Sequence, residues 1–377
     1  MSWFHLTRRA LLLSFLALWS ISCVSAPRVV AVGDVHGDYQ QLVQVLRFAG
    51  VIGPDGHWSG GRSVLVQAGD IPDRGPDSRK AMELMMRLER EAVENGGRVH
   101  ALIGNHEALN MMGDLRYVHP GEFEAFVGPD SAQRRAEWLS GRQGPTSTSD
   151  TASTAASSED QGDAAAASIP LGWVEHRRAW QPTGSLGAWV LEHDSVVVVG
   201  QSMFVHGGLS PALLGVPLSQ VNERIREELR SGQAGPGSYV EDPAGPLWYR
   251  DLASGDEKAL EEHVDRVLTF YEVERIVVAH TPTGGAVIPR FGGRVLLIDV
   301  GLSEAYGGAN ACLILRDGDA FALHRGVEVP IPSDPAEVAA YLDRLAALEP
   351  DRESRERLWT RASELTGVRL PTGFDNL

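Results

Sequence analysis

Apolar and polar positions alternate along this chain in blocks. Five short, β-branched runs stand out: RVVAV (Arg28–Val32), SVLVQA (Ser63–Ala68), RVHALI (Arg98–Ile103), SVVVVGQSMF (Ser195–Phe204) and RIVVA (Arg275–Ala279). Runs of this length and composition predict buried strands. Each leads into a polar motif: GDVHGD (Gly33–Asp38), GDIPDRG (Gly69–Gly75), GNHE (Gly104–Glu107), VHGG (Val205–Gly208) and AHTPT (Ala279–Thr283). Strand-rich stretches return late, in RVLLIDV, ACLILR and AFALH. Strands and helices alternating early, with strands concentrated late, predict an α/β fold of two packed mixed β-sheets flanked by helices. The segments Glu122–Trp138 and Gly172–Trp180 read as helical. So does the tail, where Val338, Tyr341, Leu342, Leu345 and Leu348 share one helical face and a second helix spans Arg352–Leu365.

Strand ends carrying Asp, Asn and His matter because ligands of α/β sheets bind beyond the carboxyl ends of strands. Asp34 and His36 lie two apart, so a sharp turn can aim both at one ion. Asp70 can bridge two ions through its two carboxylate oxygens. Asn105 offers an amide oxygen, and His206 and His280 offer imidazole nitrogens. Mixed carboxylate, amide and imidazole donors suit Mn, Fe or Zn and leave positions open for water. The only cysteines are Cys23 and Cys312, which excludes a structural four-thiolate zinc site. His106, next to Asn105, is expected to point to the other side of the turn and to act as general acid. Asp73 is placed to hold its second ring nitrogen. Arg74 can fork onto phosphate oxygens. Arg250, in GPLWYRD, is a second phosphate clamp unless it stacks on Trp248 or pairs with Asp251. The remaining histidines follow no such strand and read as surface or core residues.

Together these motifs resemble the phosphoprotein phosphatases of the calcineurin-like metallophosphoesterase superfamily. More narrowly, GDIPDRGPDS, GNHEALNMMGDLRYV, GPLWYR, AHTPT and IDVGLSEAYGG resemble the Shewanella-like protein phosphatases over Arg28–Leu323. The resemblance implies a metallophosphoesterase four-layer sandwich, two mixed β-sheets flanked by helices. It implies a dinuclear centre with manganese as the first expectation and iron or zinc as alternatives. Asp34, His36 and Asp70 would hold one ion, and Asp70, Asn105, His206 and His280 the other. His106 with Asp73 would donate the proton, and Arg74, Arg250 and Tyr306 would face the substrate phosphate. The implied activity is metal-dependent phosphomonoester hydrolysis by metal-activated water, most simply of a phosphorylated protein, with a small phosphomonoester as the other substrate class. A symmetrical dinucleoside-tetraphosphate hydrolase or another metallophosphoesterase is the alternative. A phospho-ligand binding protein without activity is expected to have lost a ligand or His106, and none is lost here.

Charge and low-complexity segments complete the expectations. The 377-residue chain has a formal charge of −16, which lacks the basic footprint of a nucleic-acid binder. Arg8 and Arg9 before LLLSFLALW, with Val24–Ala26 as cleavage site, predict an export signal over 1–26 and a periplasmic location. Cys23 offers membrane anchoring through the N-terminus instead. The catalytic domain is expected over 27–328, with a low-complexity Ser/Thr/Ala insertion at 144–170 that cannot offset its ordering entropy, and a helical appendage over 329–377.

Overall fold

The computed structural model describes residues 26–142, 169–235 and 237–369. The export signal and the low-complexity insertion therefore lie almost wholly outside the described residues. Among those residues, no helix is long and apolar enough to cross a membrane.

Three predicted strands form a parallel unit: β1 (Val29–Val32), β2 (Val64–Gln67) and β3 (Arg98–Ala101). The crossovers are α1 (Tyr39–Phe48) and α2 (Ser78–Glu94), which bury the apolar faces Leu42, Val43, Val45, Leu46 and Ala81, Met82, Met85, Leu88. Asp38 caps α1 by accepting the Gln41 N–H. The chain returns to this sheet near its end. β9 (Ala311–Arg316) pairs antiparallel with β1, and β10 (Asp319–His324) and β11 (Val327–Pro330) follow, giving the order β11-β10-β9-β1-β2-β3.

The second sheet has the order β4-β5-β6-β8-β7. The run SVVVVGQSMF is not one strand but two, β4 (Val196–Val199) and β5 (Ser202–Val205), paired antiparallel about Gly200 in the left-handed region. β5, β6 (Arg275–Val278) and β8 (Val295–Leu297) run parallel, and β7 (Ile288–Arg290) is an antiparallel edge. The two mixed sheets flanked by helices are thus present.

Two helical expectations shift in detail. Glu122–Trp138 is broken into α4 (Pro120–Glu124) and α5 (Ser131–Arg142), because Gly128 and Pro129 interrupt it. The tail helix begins as a 3-10 turn, Pro335–Glu337, before Val338–Ala346, and a second helix spans Arg352–Thr366. This tail is bound into the core. Tyr341 Oη donates to Val287 O, and Glu349 accepts from His324 and Arg325.

Candidate metal and phosphate site

The carboxyl ends of β1, β2, β3, β5 and β6 open onto one place. Asp34 follows β1, Asp70 follows β2, Asn105 starts α3 (Asn105–Met112) after β3, His206 follows β5 and His280 follows β6. All six expected metal ligands, His36 included, are buried. Two groups of ligand atoms share Asp70: His36, Asp70 and His106 on one side, and Asp70, His206 and His280 on the other. The two sheets meet here directly, since Asp34 Oδ1 accepts the His280 N–H at 3.1 Å.

The turns are tight. Five of the nine non-glycine residues with left-handed backbone among the described residues belong to this site: His36, Asp70, Asp73, Arg74 and His280. Such conformations cost of order 1–3 kcal/mol each and persist where surrounding structure holds them, commonly at functional sites. Gly69, at φ 92°, has no room for a Cβ, which would lie 2.7 Å from Gly104 Cα and 2.8 Å from His206 Nδ1.

The donor set fits cations. His206 Nδ1 lies 2.8 Å from Ala68 O, and a carbonyl can only accept, so this nitrogen carries the proton. In the neutral ring, Nε2 then presents a lone pair toward Asn105 Oδ1 at 2.9 Å and Asp70 Oδ2 at 3.3 Å. A cation bound there relieves these converging lone pairs; without one, and against the cost of burial, Asp70 raises the His206 pKa and a proton on Nε2 takes that place. His36 repeats the pattern, with Nδ1 3.3 Å from Pro72 O and Nε2 3.6 Å from Asp34 Oδ2. Backbone carbonyls holding the second ring nitrogen are the usual support of metal-ligating histidines. His280 Nε2 is buried and has no hydrogen-bond partner among the described residues.

Electrostatics agree. Burial, together with Asp299 and Asp70, pushes Asp34 well above the usual carboxylate range. Burial and then Asp70 raise Glu107 to about 7, and burial and Asp70 raise Asp299 to about 6. Burial works against an ionised Asp70, but His206 and His106 beside it hold its pKa well below normal. A buried pocket this rich in carboxyl groups stores repulsion that divalent cations relieve.

His106 lies on the other side of the turn from Asn105, as expected: Asn105 Oδ1 faces His206, whereas His106 joins the His36 and Asp70 group. Its Nε2 is 3.8 Å from Asp70 Oδ2 and its ring meets His36 edge-on at 4.7 Å. The reason is that Asn105 and His106 open α3, whose N-terminus faces the cavity, and the His106 N–H is fixed by Asp70 Oδ1 at 2.8 Å. Its Nδ1 lies 2.6 Å from Asp73 Oδ2, as the sequence suggested. Asn110 Nδ2 donates to Asp73 Oδ1 at 2.9 Å and to His106 O at 3.0 Å.

At the rim, Arg74 is exposed and forms no salt bridge among the described residues. Its guanidinium lies over the Tyr117 ring at 4.1 Å and faces the Tyr306 ring at 5.9 Å. Tyr306 stacks on His36 at 5.0 Å and Tyr117 tilts against His106 at 5.1 Å. Arg250 neither stacks on Trp248 nor pairs with Asp251; its Nη1 donates to His280 O at 2.7 Å and Thr281 Oγ1 at 3.0 Å. That contact brings it to the His280 wall with its remaining donors exposed. The tail helix Arg352–Thr366 braces both adjacent loops, as Arg361 donates to Pro282 O and Arg357 to Gly307 O.

Three residues escaped the sequence reading. Glu107 accepts the N–H groups of Asp70, Ile71 and Gly104, tying the second and third motif turns together. Asp299, just past β8, is buried with Oδ2 unpartnered among the described residues, and its strand-end position in RVLLIDV was the available signal. Tyr117 lay inside the resembling segment GNHEALNMMGDLRYV but was given no role.

The chain is similar to known proteins. A family model described as calcineurin-like phosphoesterase matches residues 27–284. The chain is 33% identical over 307 residues to an uncharacterized protein of Schizosaccharomyces pombe, covering 78% of this chain and 80% of that one. It is 29% identical over 296 residues to Shewanella-like protein phosphatase 2 of Arabidopsis thaliana, covering 74% and 72%. Among solved structures, a cold-active protein-tyrosine phosphatase of a psychrophilic Shewanella species superposes with TM-score 0.60 at 25% identity, covering 81% of this chain and 80% of that one.

Proposed function

The chain belongs to the calcineurin-like phosphoesterase family and is a hydrolase of phosphate esters, and we propose that it is a protein phosphatase acting first on phosphotyrosyl side chains. The observation that carries the reading is the pair of buried ligand clusters sharing Asp70, with the His106–Asp73 pair and Arg74 at their rim. The tyrosine preference is drawn from the Shewanella enzyme and is supported by the aromatic rim of Tyr117 and Tyr306.

Asp34, His36 and Asp70 would hold one divalent ion, and Asp70, Asn105, His206 and His280 the other, with manganese first to be tested. When bound, the pair supplies Lewis acidity and activation of water. The chain's own groups do the rest. Arg74, steadied between two tyrosine rings, grips phosphate oxygens, and Arg250 closes on them from the His280 wall. Tyr306 bounds the phosphate pocket beside His36. His106, its Nδ1–H held by Asp73, presents Nε2 to the leaving oxygen and gives it a proton. The N-terminal Arg8–Arg9 and LLLSFLALW run supports export, placing this chemistry in the periplasm or at its membrane face.

The experiment is a substrate panel on metal-stripped protein to which single metals are restored. Phosphotyrosyl peptides are expected to be cleaved with higher kcat/KM than phosphoseryl peptides, and both well above diadenosine tetraphosphate. A preference for the dinucleotide would overturn the protein-phosphatase reading.

A further inference from the structure

We propose that Glu122, on α4, is a positioning residue that fixes the Asp73–His106 pair from behind. The proposal rests on the assignment of His106 as proton donor. Asp73 has left-handed backbone, at φ 73°, so its carboxylate reaches His106 only if the turn is held. Its side chain is held by α3, through His106 Nδ1 and Asn110 Nδ2. Its backbone is held by Glu122. The Asp73 N–H is shared between Glu122 Oε1 at 3.1 Å and Ser78 Oγ at 3.0 Å, and Ser78 Oγ donates to the same Glu122 oxygen at 2.6 Å.

The groups facing Glu122 are Asp73 from the β2 turn, His176 from the helix Trp173–Ala179, and His119, the cap of its own helix. His176 Nε2 is 3.8 Å from Glu122 Oε2 but accepts the Trp180 indole N–H at 3.1 Å, so it carries no proton there. The His176 ring is enclosed by Phe123, Phe126 and Trp180, and burial first, then Arg177, lowers it to about 3. With no cation opposite, burial and Asp73 raise Glu122 to about 8. Glu122 therefore works as a neutral acceptor, and a neutral isostere can replace it. α4 precedes residues 143–168 and the His176 helix follows them, so chain from both sides of that segment converges behind the proton donor.

The test compares phenyl phosphate, whose leaving oxygen needs a proton, with 4-nitrophenyl phosphate, whose leaving oxygen does not. It uses wild type, His106→Asn, Glu122→Ala and Glu122→Gln, with metal content measured for each. Glu122→Ala is expected to lose roughly tenfold more kcat on phenyl phosphate than on the nitrophenyl ester, at unchanged KM and metal content, in the direction of His106→Asn. Glu122→Gln is expected to restore the wild-type ratio. Equal losses on both esters in Glu122→Ala, lost metal, or failure of Glu122→Gln to rescue, with His106→Asn still selective, overturn the positioning role alone. If His106→Asn itself shows no selectivity, the proton-donor assignment falls and the positioning role falls with it.

Discussion

Replacing Glu107 by alanine removes one carboxylate that accepts three buried N–H groups: Asp70 at 2.9 Å, Ile71 at 2.8 Å and Gly104 at 2.8 Å. A buried donor left without an acceptor costs about 1–3 kcal/mol. Water entering the vacated space recovers part of that, because it finds several polar partners there. The expected loss is therefore about 3–5 kcal/mol, toward the lower end of the summed range. With an unfolding entropy of about 2.1 cal/mol/K per residue, a chain of this size shifts by ~1.3 °C per kcal/mol, so the melting temperature should fall by ~4–7 °C. The measurement is thermal unfolding in excess chelator, so that released metal does not enter the comparison. Glu107→Gln keeps one acceptor oxygen and turns an amide NH2 toward the other donors, so its loss should be intermediate. A fall of under ~2 °C in Glu107→Ala would show that these three bonds are not what joins the second and third motif turns.

Three further outcomes are expected. Asp70→Asn should lower the content of both metal equivalents, measured by elemental analysis of the purified variant, and two equivalents retained would remove Asp70 as the shared ligand. Arg74→Ala and Arg250→Ala should each lower kcat/KM roughly ten- to a hundredfold and weaken inhibition by inorganic phosphate, with lysine a poor substitute; an unchanged Arg250→Ala would make that arginine a brace for the His280 loop. In chelator, stability should fall as pH rises from 6.5 to about 8. Folded Glu107 and Glu122 hold protons up to about 7 and about 8, and His106 and His206 are also raised, so the folded state gives up protons here that the unfolded carboxylates lost at lower pH. His36, His176 and His280 are lowered and neutral when folded, so the protons their unfolded rings lose at about 6.5 oppose this fall at the start of the window and fade above about 7. A melting temperature that rises across it would contradict the burial of these acids.

The convergence of Asp34, Asp70, Asn105, His206 and His280 was legible because one local pattern, an apolar run ending in a hard donor, encodes each of them. Asp299 obeys the same pattern, but its run was read only as a strand. Residues whose meaning lies in distant contacts were not legible. Glu122 and His176 are 54 positions apart, bear no motif, and matter only because α4 and a later helix fold behind Asp73. The opposite directions of Asn105 and His106 were legible from adjacency, but the closeness of His106 to Asp70 and His36 comes from the start of α3. The split of β4 from β5 at Gly200 and the break at Gly128–Pro129 depend on punctuation that an otherwise continuous composition hides.

The order of strands in the first sheet has a consequence for the integrity of the chain. β1, β2 and β3 come from before residue 143, whereas β9, β10 and β11, which extend the same sheet from β1, come from after residue 168. A peptide bond cut between those positions leaves Asp34, His36, Asp70 and Asn105 on one fragment and His206 and His280 on the other. Neither piece owns all six candidate ligands. The halves remain stitched by the β1–β9 ladder, Val29 opposite Leu315 and Ala31 opposite Leu313, and by the Asp34–His280 bond between sheets. The two ends of the chain are thus joined twice, once through the backbone and once through the first sheet, and a cut at the middle would leave only the second connection.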